Sequence, residues 1–329
     1  MILAADIGGT KVNLGIFDLP GGKLKLVTEG TRQSRKFARL QDLVKDFLAG
    51  AGAVKIERAC FGVAGPVRNG KAQLTNLSWN VEATELAAEL NLGSASLIND
   101  LEANGYGLAE LSPADFHTLN AGEPNASGNA AIISAGTGLG EAGMFWDGQR
   151  HQTFACEGGH ADFAPQTNLD AELFQWLHDR YLHVSWEKVL SGPGLYNIYE
   201  FLRETKRGED PSTLADALTK ADPGMVISEA AMNGTSSRCA FALDLFVTYY
   251  GAEAGNLALK LMANGGVYLG GGIAPKILAR LEDENFLASF TCKGRMRSML
   301  AGMPIKVILN PKTALLGAAH YAAFGQKVS

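Results

Sequence analysis

Short apolar runs separated by turn residues predict an alternation of strands and helices in the first third of the chain. Residues 12–18 alternate between apolar and polar side chains, with the period of two that is typical of a half-buried strand. The predicted elements are strands at 2–7, 12–18, 23–30, 58–65 and 95–99 and helices at 40–48, 81–92 and 101–111. The last strand ends directly before Asp100, which it therefore delivers at its carboxyl end.

The second half of the chain opens on a similar pattern and then becomes mainly helical. An apolar run at 130–134 leads into a glycine-rich turn, and a second run follows at 141–146. The later predicted elements are helices at 170–182, 194–203, 212–220, 238–262 and 312–324 and strands at 267–269 and 305–309. Two halves that each begin with a hairpin predict an α/β enzyme of two domains with a central cleft. We expect the terminal helix to pack on the N-terminal domain.

Composition and charge exclude several classes of protein. The chain has 329 residues, of which 47% are hydrophobic and 19% charged, as in ordinary soluble domains. A net charge of −5 argues against a nucleic-acid surface, which needs clustered positive charge. The first apolar run stops at Asp6, and no apolar run is long enough for a membrane span, so we predict a cytoplasmic protein without a signal peptide. The four cysteines form no CxxC pair and are predicted to be reduced core or near-core thiols, namely Cys60, Cys156, Cys239 and Cys292.

Glycine-rich turns supply the strongest chemical signal. Consecutive backbone N–H groups in such turns bind anions, and we expect glycine because the turn visits φ > 0 and the phosphate must approach the backbone closely. Both turns run from strand to strand, whereas Rossmann and Walker loops run from strand to helix, so those two interpretations fail. The residues predicted to bind nucleotide are Asp6, Ile7, Gly8, Gly9, Thr10 and Lys11, then Gly136, Thr137 and Gly138, and finally Gly270, Gly271 and Gly272 beside the adenosine. Asp6 suits Mg²⁺, which proteins hold through one or two carboxylates together with phosphates and waters.

Polar residues at the ends of apolar segments suggest a second ligand. Asp100 is the candidate general base for transfer of a phosphoryl group to a hydroxyl. Its alternative role is a helix N-cap. Glu157 and His160, separated by two glycines, can bind adjacent sugar hydroxyls. The alternative for His160 is a metal site with Asp162, although no second histidine or cysteine lies at ligand spacing.

Two further positions are more ambiguous from the residues alone. Glu187 would be read as a surface helix charge. Asn76 and Trp79 follow a predicted loop and are candidates for the wall of a sugar site, with a core position as the alternative for Trp79.

Taken together, these motifs resemble those of bacterial glucokinases. In order along the chain they are DIGGT, VAGPV, LTNLSW, IND, SAGTGLG, EGGHADFAP, VSWEKVLSGPGLYNIY and LGGGIAPK. EGGH-x-DFAP and VLSGPGL are specific to that family, whereas DIGGT is shared with many kinases. The resemblance covers nearly the whole chain and implies a two-domain actin-like (ribonuclease H-like) ATPase fold. The implied domains are residues 1–110 plus 311–329 and residues 111–310.

The resemblance also implies an activity and its ligands. The reaction is transfer of the γ-phosphoryl group from ATP to D-glucose with Mg²⁺, in glycolysis, by a protein that is often a homodimer. The implied glucose ligands are Asn99, Asp100, Glu157, His160 and Glu187. The chain lacks the cysteine-rich zinc motif of the repressor–kinase sugar family, and residues 101–107 follow the glucokinase pattern only loosely. The alternatives are a kinase for mannose or N-acetylhexosamine and a non-catalytic, actin-like sugar-sensing protein or scaffold.

Overall fold

The computed structural model describes residues 1–52, 54–74 and 77–325, and the chain divides into two compact units. Unit 1 consists of Met1–Asp115, Gln152–Ala155 and Asn310–Ser329. Unit 2 consists of Phe116–His151 and Cys156–Leu309. Each unit has strands and helices around its own core, which establishes the mixed α/β class.

Unit 1 is built on a twisted sheet with parallel and antiparallel neighbours. Its strands are β1 (Ile2–Ile7), β2 (Lys11–Asp18), β3 (Lys25–Gln33), β4 (Arg58–Val63), β5 (Lys71–Leu74), β6 (Trp79–Glu82) and β7 (Ala95–Asn99). Its helices are α1 (Leu40–Ala51), α2 (Ala83–Glu89), α3 (Asp100–Gly107) and α12 (Thr313–Phe324). Five strands form the order β3-β2-β1-β4-β7, and β5 pairs with β6 in a separate hairpin.

The parallel strands of unit 1 end in one row. Ile7 is paired in register with Val63, and Val63 is paired with Asn99. Because β1, β4 and β7 run in the same direction, their carboxyl ends share one edge of the sheet. That edge therefore carries the first glycine turn and the Asn99-Asp100 pair.

Both faces of this sheet are buried. Leu3 and Ala5 on β1 belong to a core that includes residues of α1 and α2, whereas Ala4 belongs to a second core with Ala318 of α12. Successive strand residues point to opposite faces, so β1 is apolar on both faces, with Asp6 near its end as the exception. The expected packing of the terminal helix on the N-terminal part of the chain is confirmed.

Unit 2 combines a mixed sheet with most of the helices. The strands of this sheet are β8 (Phe116–Asn120), β9 (Ala130–Ala135), β10 (Leu139–Trp146), β11 (His151–Cys156), β12 (Gly266–Gly270) and β13 (Ile305–Ile308), in the order β11-β10-β9-β12-β13-β8. Within β11, Gln152–Ala155 are assigned to unit 1. Its helices are α4 (Asn168–Tyr181), α5 (Gly192–Glu204), α6 (Leu214–Lys220), α7 (Pro223–Met232), α8 (Ser237–Leu261), α9 (Leu278–Leu281), α10 (Glu284–Thr291) and α11 (Arg297–Ala301). The long helix α8 lies at the centre of the core and buries Phe246 and Tyr250 completely.

Several predicted elements differ from the observed ones. The helix predicted at 81–92 was wrong at its start, because Val81 and Glu82 pair with β5 and α2 begins only at Ala83. The strand predicted at 58–65 ends at Val63, and the helix predicted at 101–111 spans Asp100–Gly107. Sequence patterns did not reveal β5, β8, β11, α7 or α9–α11. These elements are short or lack a clear period, so pairing with neighbours decides them.

The cysteine prediction was correct for three residues and wrong for one. Cys60 and Cys239 are buried and Cys156 is half-buried, but Cys292 is exposed just after α10. Within the described ranges, no helix combines the length and apolarity needed to cross a bilayer.

Candidate active site

The first glycine turn is a hairpin held by a buried serine. Gly8 N–H donates to the Lys11 carbonyl at 3.0 Å, which closes the turn between β1 and β2. Ser34 fixes the turn from outside: its hydroxyl donates to the Gly8 carbonyl at 2.9 Å and its N–H to the Thr10 carbonyl at 3.0 Å. The carbonyls are thus occupied by protein donors. Ser34 was missed from sequence because it lies in the segment after β3, far along the chain from the turn.

Asp6 lies at the end of β1, beneath this turn. Asn13 Nδ2 donates to Asp6 Oδ2 at 3.2 Å, and Thr31 Oγ1 in turn donates to Asn13 Oδ1 at 3.0 Å. Burial raises the pKa of Asp6, although the hydrogen bond from Asn13 and the charge of Lys11 act in the opposite direction. A buried carboxylate of this kind is stabilised by a nearby cation. A single oriented carboxylate fits Mg²⁺ that is held mainly by phosphate and water oxygens.

Asn99, rather than Asp100, caps helix α3. The Asn99 side chain accepts hydrogen bonds from the N–H groups of Leu101 at 2.8 Å and Glu102 at 3.4 Å. Glu102 Oε2 accepts the Asn99 N–H at 2.9 Å, which completes a capping box. The N-cap interpretation of Asp100 was therefore wrong: Asp100 is the first helical residue. The N-x-x-E spacing in the sequence is a signal that could have identified this cap.

The capping geometry determines what Asn99 and Asp100 can offer a ligand. Asn99 is 6% exposed, and its Nδ2 donates to the Gly65 carbonyl at 3.1 Å, so one amide N–H remains for a further bond. Asp100 is half-buried at the first helical position of α3, and its Oδ1 accepts the Leu101 N–H at 3.1 Å. A carboxylate at this edge of the sheet is able to accept a proton.

The second glycine turn, in unit 2, connects β9 to β10. Gly136 N–H donates to the Gly138 carbonyl at 2.9 Å, and Gly192 N–H donates to the Gly136 carbonyl at 2.8 Å. Glu187 is half-buried, and its Oε2 accepts the Leu139 N–H at 3.0 Å. The interpretation of Glu187 as a surface helix charge was therefore wrong. Its carboxylate lies against the turn itself.

The expected reason for glycine in these two turns was only partly correct. Gly8, Gly136 and Gly138 do not adopt left-handed backbone angles. A side chain at Gly136 would enter open space, which leaves its backbone accessible to a ligand, whereas a Cβ at Gly138 would lie 2.6 Å from Glu187 Oε2. Close approach, and not φ > 0, explains glycine at Gly138, whereas no neighbour among the described residues requires glycine at Gly136.

The third glycine turn lies beside the second at the same edge of the unit 2 sheet. Gly270 at the end of β12 is in register with Ser134 of β9. Gly271 has φ = +81°, and a Cβ there would lie 2.3 Å from the Ala135 carbonyl oxygen, so only glycine fits. Ile273 N–H donates to the same carbonyl at 3.3 Å. The structure therefore brings together the two turns predicted to bind nucleotide in the second half of the chain.

Glu157 and His160 flank a short 3₁₀ turn that packs on β10. Glu157 Oε2 lies 4.0 Å from His160 Nε2, and both side chains are exposed, so the two polar groups are available to one ligand. Asp162 instead contacts His183, with 3.0 Å between Oδ1 and Nε2. In the part of the chain that the structure describes, no three His, Cys, Asp or Glu side chains converge on a possible metal position.

Asn76 and Trp79 were the candidates for the wall of a sugar site. Asn76 lies outside the described residues. Trp79 is 4% exposed and belongs to the core of unit 1, in agreement with its core interpretation.

Comparison with known proteins identifies the family. Residues 3–324 match a family model described as Glucokinase. The chain belongs to the glucokinase family. It is 44% identical to a glucokinase from Nostoc sp., over 98% of this chain and 99% of that protein. Among solved structures, a glucokinase from an Antarctic psychrotroph is 31% identical with a TM-score of 0.83, and the match covers 98% of each chain.

More distant members of the fold support the architecture. A ROK family glucokinase from Streptomyces griseus, solved in complex with glucose and AMPPNP, has a TM-score of 0.65 at 22% identity and matches 98% of each chain. At this identity the likeness concerns the fold alone. The glucokinase family member described here therefore has the actin-like ATPase fold that its two glycine hairpins predict.

Proposed function

We propose that the protein is an ATP-dependent glucokinase, which transfers the γ-phosphoryl group of ATP to the 6-hydroxyl of D-glucose and releases ADP and glucose 6-phosphate. The observation that carries this proposal is the 44% identity to the Nostoc glucokinase over 98% of the chain. The polar residues described above supply the chemistry that the reaction needs.

Asp100 is the proposed general base. As the sugar hydroxyl attacks phosphorus, its proton passes to the Asp100 carboxylate at the start of α3. Because Asn99 provides the cap, the Asp100 side chain is not required to start the helix. The Asp100 carboxylate, whose Oδ1 accepts the Leu101 N–H at 3.1 Å, is the group proposed to take the proton.

The remaining polar candidates are proposed to bind glucose. Sugar hydroxyls both donate and accept hydrogen bonds, so they match a carboxylate next to an imidazole, as in Glu157 and His160. The proposed glucose ligands are Asn76, Asn99, Asp100, Glu157, His160 and Glu187. Glu187 also supports the second glycine turn through Leu139, so it would link sugar binding to the nucleotide turn.

ATP is proposed to bind through the three glycine turns. The phosphates would contact Ile7, Gly8, Gly9, Thr10, Lys11, Gly136, Thr137 and Gly138, and the adenosine would lie beside Gly270, Gly271 and Gly272. Asp6 is the residue that would hold Mg²⁺, directly or through water. Bound Mg²⁺ neutralises phosphate charge during transfer. The proposal extends to a cytoplasmic homodimer that acts in glycolysis.

A panel of hexoses and phosphate donors tests this function. ADP formation and sugar phosphate formation are measured with glucose, mannose and N-acetylhexosamines, each with ATP or polyphosphate. We expect glucose with ATP to give the highest kcat/KM. Negligible turnover of glucose beside efficient turnover of another hexose would contradict glucose specificity, and ATP-dependent filament formation without any sugar phosphorylation would contradict the enzymatic role.

A further inference from the structure

Two glutamates without an assigned role are buried together in unit 2. Glu141 on β10 is 2% exposed and Glu253 on α8 is 0% exposed. Among the described residues, Glu141 Oε1 has no hydrogen-bond partner, and Glu253 Oε1 has only a long ion pair with Lys260 Nζ, at 3.5 Å. Two adjacent carboxylates in a protein interior repel each other, and each loses its hydration. A shared proton removes one of the two charges and supplies a hydrogen bond between the two groups.

This pair lies directly beneath the Glu157–His160 turn. A Cβ on Gly158 would be only 1.8 Å from Glu141 Oε2, and a Cβ on Gly159 would be 2.1 Å from the Leu139 carbonyl oxygen. The turn therefore rests on β10 at the backbone of residue 139 and the carboxyl group of Glu141. The Glu141 carboxyl group therefore lies against the backbone between the two proposed sugar ligands.

The surroundings favour the protonated pair. Burial, followed by the charge of Glu253, raises the pKa of Glu141 from 4.5 to about 8, and burial also raises the pKa of Glu253. Lys260 acts in the opposite direction, with its Nζ 3.5 Å from Glu253 Oε1. Asn256 Nδ2 donates to Glu253 Oε2 at 2.7 Å. The other titratable groups that interact with the pair are Cys156, Tyr250 and Lys293.

We propose that the Glu141–Glu253 pair shares one proton near neutral pH and positions the Glu157–His160 turn, so that loss of this proton weakens glucose binding. The inference rests on the proposed function. In the protonated pair one carboxyl O–H donates to the other carboxylate. When the proton leaves to solvent, two buried anions repel, Glu141 shifts, and the turn above it loses its support.

Thermodynamic linkage makes the proposal testable without catalysis. If deprotonation weakens glucose binding by some factor, glucose binding must increase the affinity of the pair for its proton by the same factor. Glucose binding near pH 8 is therefore accompanied by net proton uptake. Neither effect is expected if Glu141 only fills space.

Calorimetric titration with glucose at pH 7 and pH 9, in buffers of different ionisation enthalpy, measures both quantities. We expect the wild type to lose about 5-fold or more in affinity at pH 9 and to take up protons near pH 8. Glu141→Gln mimics the protonated side chain. Between pH 7 and pH 9 this variant should therefore lose less glucose affinity than the wild type, and it should take up fewer protons on binding. Glu229→Gln, an exposed charge on α7, is the matched control and should behave as the wild type. Identical pH dependence in the wild type and Glu141→Gln would overturn the inference.

Two further variants keep the test decisive. Glu253→Gln removes the other carboxylate of the pair and should likewise reduce the pH dependence of glucose affinity. This variant therefore provides the test if Glu141→Gln does not fold. Lys260→Met removes a positive charge and should move the loss of affinity to higher pH. A protein that does not phosphorylate glucose at pH 7 contradicts the proposed function, whereas an active enzyme with a pH dependence insensitive to these variants contradicts only this inference.

Discussion

At the scale of single residues, the most informative finding is the separation of roles between Asn99 and Asp100. Asparagine satisfies the N–H groups of Leu101 and Glu102, while the adjacent aspartate occupies the first helical position. A sequence motif that reads as one functional unit thus contains one structural and one candidate chemical residue. Variants of the two positions should therefore affect different measurements.

We expect Asp100→Asn to lower kcat by roughly 10²–10⁴-fold, which is the usual contribution of a positioned acid or base. The amide keeps the size and a hydrogen bond, so glucose affinity should change much less. Steady-state kinetics together with calorimetric glucose binding measure the two effects separately. Since Asn99 carries the cap, the free energy of unfolding should change by less than about 0.5 kcal/mol. A kcat close to that of the wild type would exclude Asp100 as the base.

At the scale of elements, the start of α3 depends on the capping box. Glu102→Ala removes the acceptor of the Asn99 N–H and should lower the free energy of unfolding by about 1 kcal/mol. Glu102→Gln retains an acceptor oxygen, so its free energy of unfolding should fall by clearly less than that of Glu102→Ala. Urea unfolding of both variants measures the difference. Equal losses would show that packing of the Glu102 side chain, and not the hydrogen bond, is the relevant contribution.

The contact between α3 and α12 requires a glycine. A Cβ on Gly317 would lie 1.6 Å from the Ala103 carbonyl oxygen, so Gly317→Ala forces the two helices apart. We expect a loss of at least about 3 kcal/mol in unfolding free energy, at the upper end of overpacking effects.

Gly50 of α1 is the matched control for this prediction, since a Cβ there meets no atom within 4 Å. Gly50→Ala should stabilise the protein by about 0.5 kcal/mol, because alanine loses less conformational entropy in a helix. Thermal unfolding of both variants measures the two effects. A stable Gly317→Ala protein would mean that the helices can separate without cost.

At the scale of the whole molecule, the buried Glu141 should make stability depend on pH. Its pKa is raised from 4.5 to about 8 in the folded state, so the folded protein retains a proton that the unfolded chain releases above pH 4.5. The stabilising contribution of this proton is complete below pH 4.5 and is lost as pH rises to about 8.

Glu141→Gln carries no titrating group and should not lose stability through this site. The difference in unfolding free energy between variant and wild type should therefore grow from pH 4.5 to about 8 and stay constant above. We expect a change of at least about 1 kcal/mol, corresponding to roughly one pKa unit. Parallel pH profiles of Tm for the two proteins would show that Glu141 titrates normally.

Patterns among residues close in sequence specify many of the strands and helices. The apolar run of β1, the alternation in β2 and the helical spacing of α8 each arise from neighbours in sequence, and the structure has all three. The helix predicted to begin at Val81 shows the limit, because pairing with β5 makes Val81 and Glu82 part of a strand. Local propensity is weak where a short segment gains hydrogen bonds from a distant strand.

The sequence by itself determined the two glycine hairpins, many of the strands and helices and, through its motifs, membership of the glucokinase family. Tertiary structure alone decided that Ser34 holds the first turn, that Glu187 reaches Leu139, and that Glu141 meets Glu253 beneath Gly158. The physical reason is the range of the interactions. Periodicity and turn chemistry act between residues close in sequence, whereas burial, shared protons and side-chain contacts arise only when distant segments pack together.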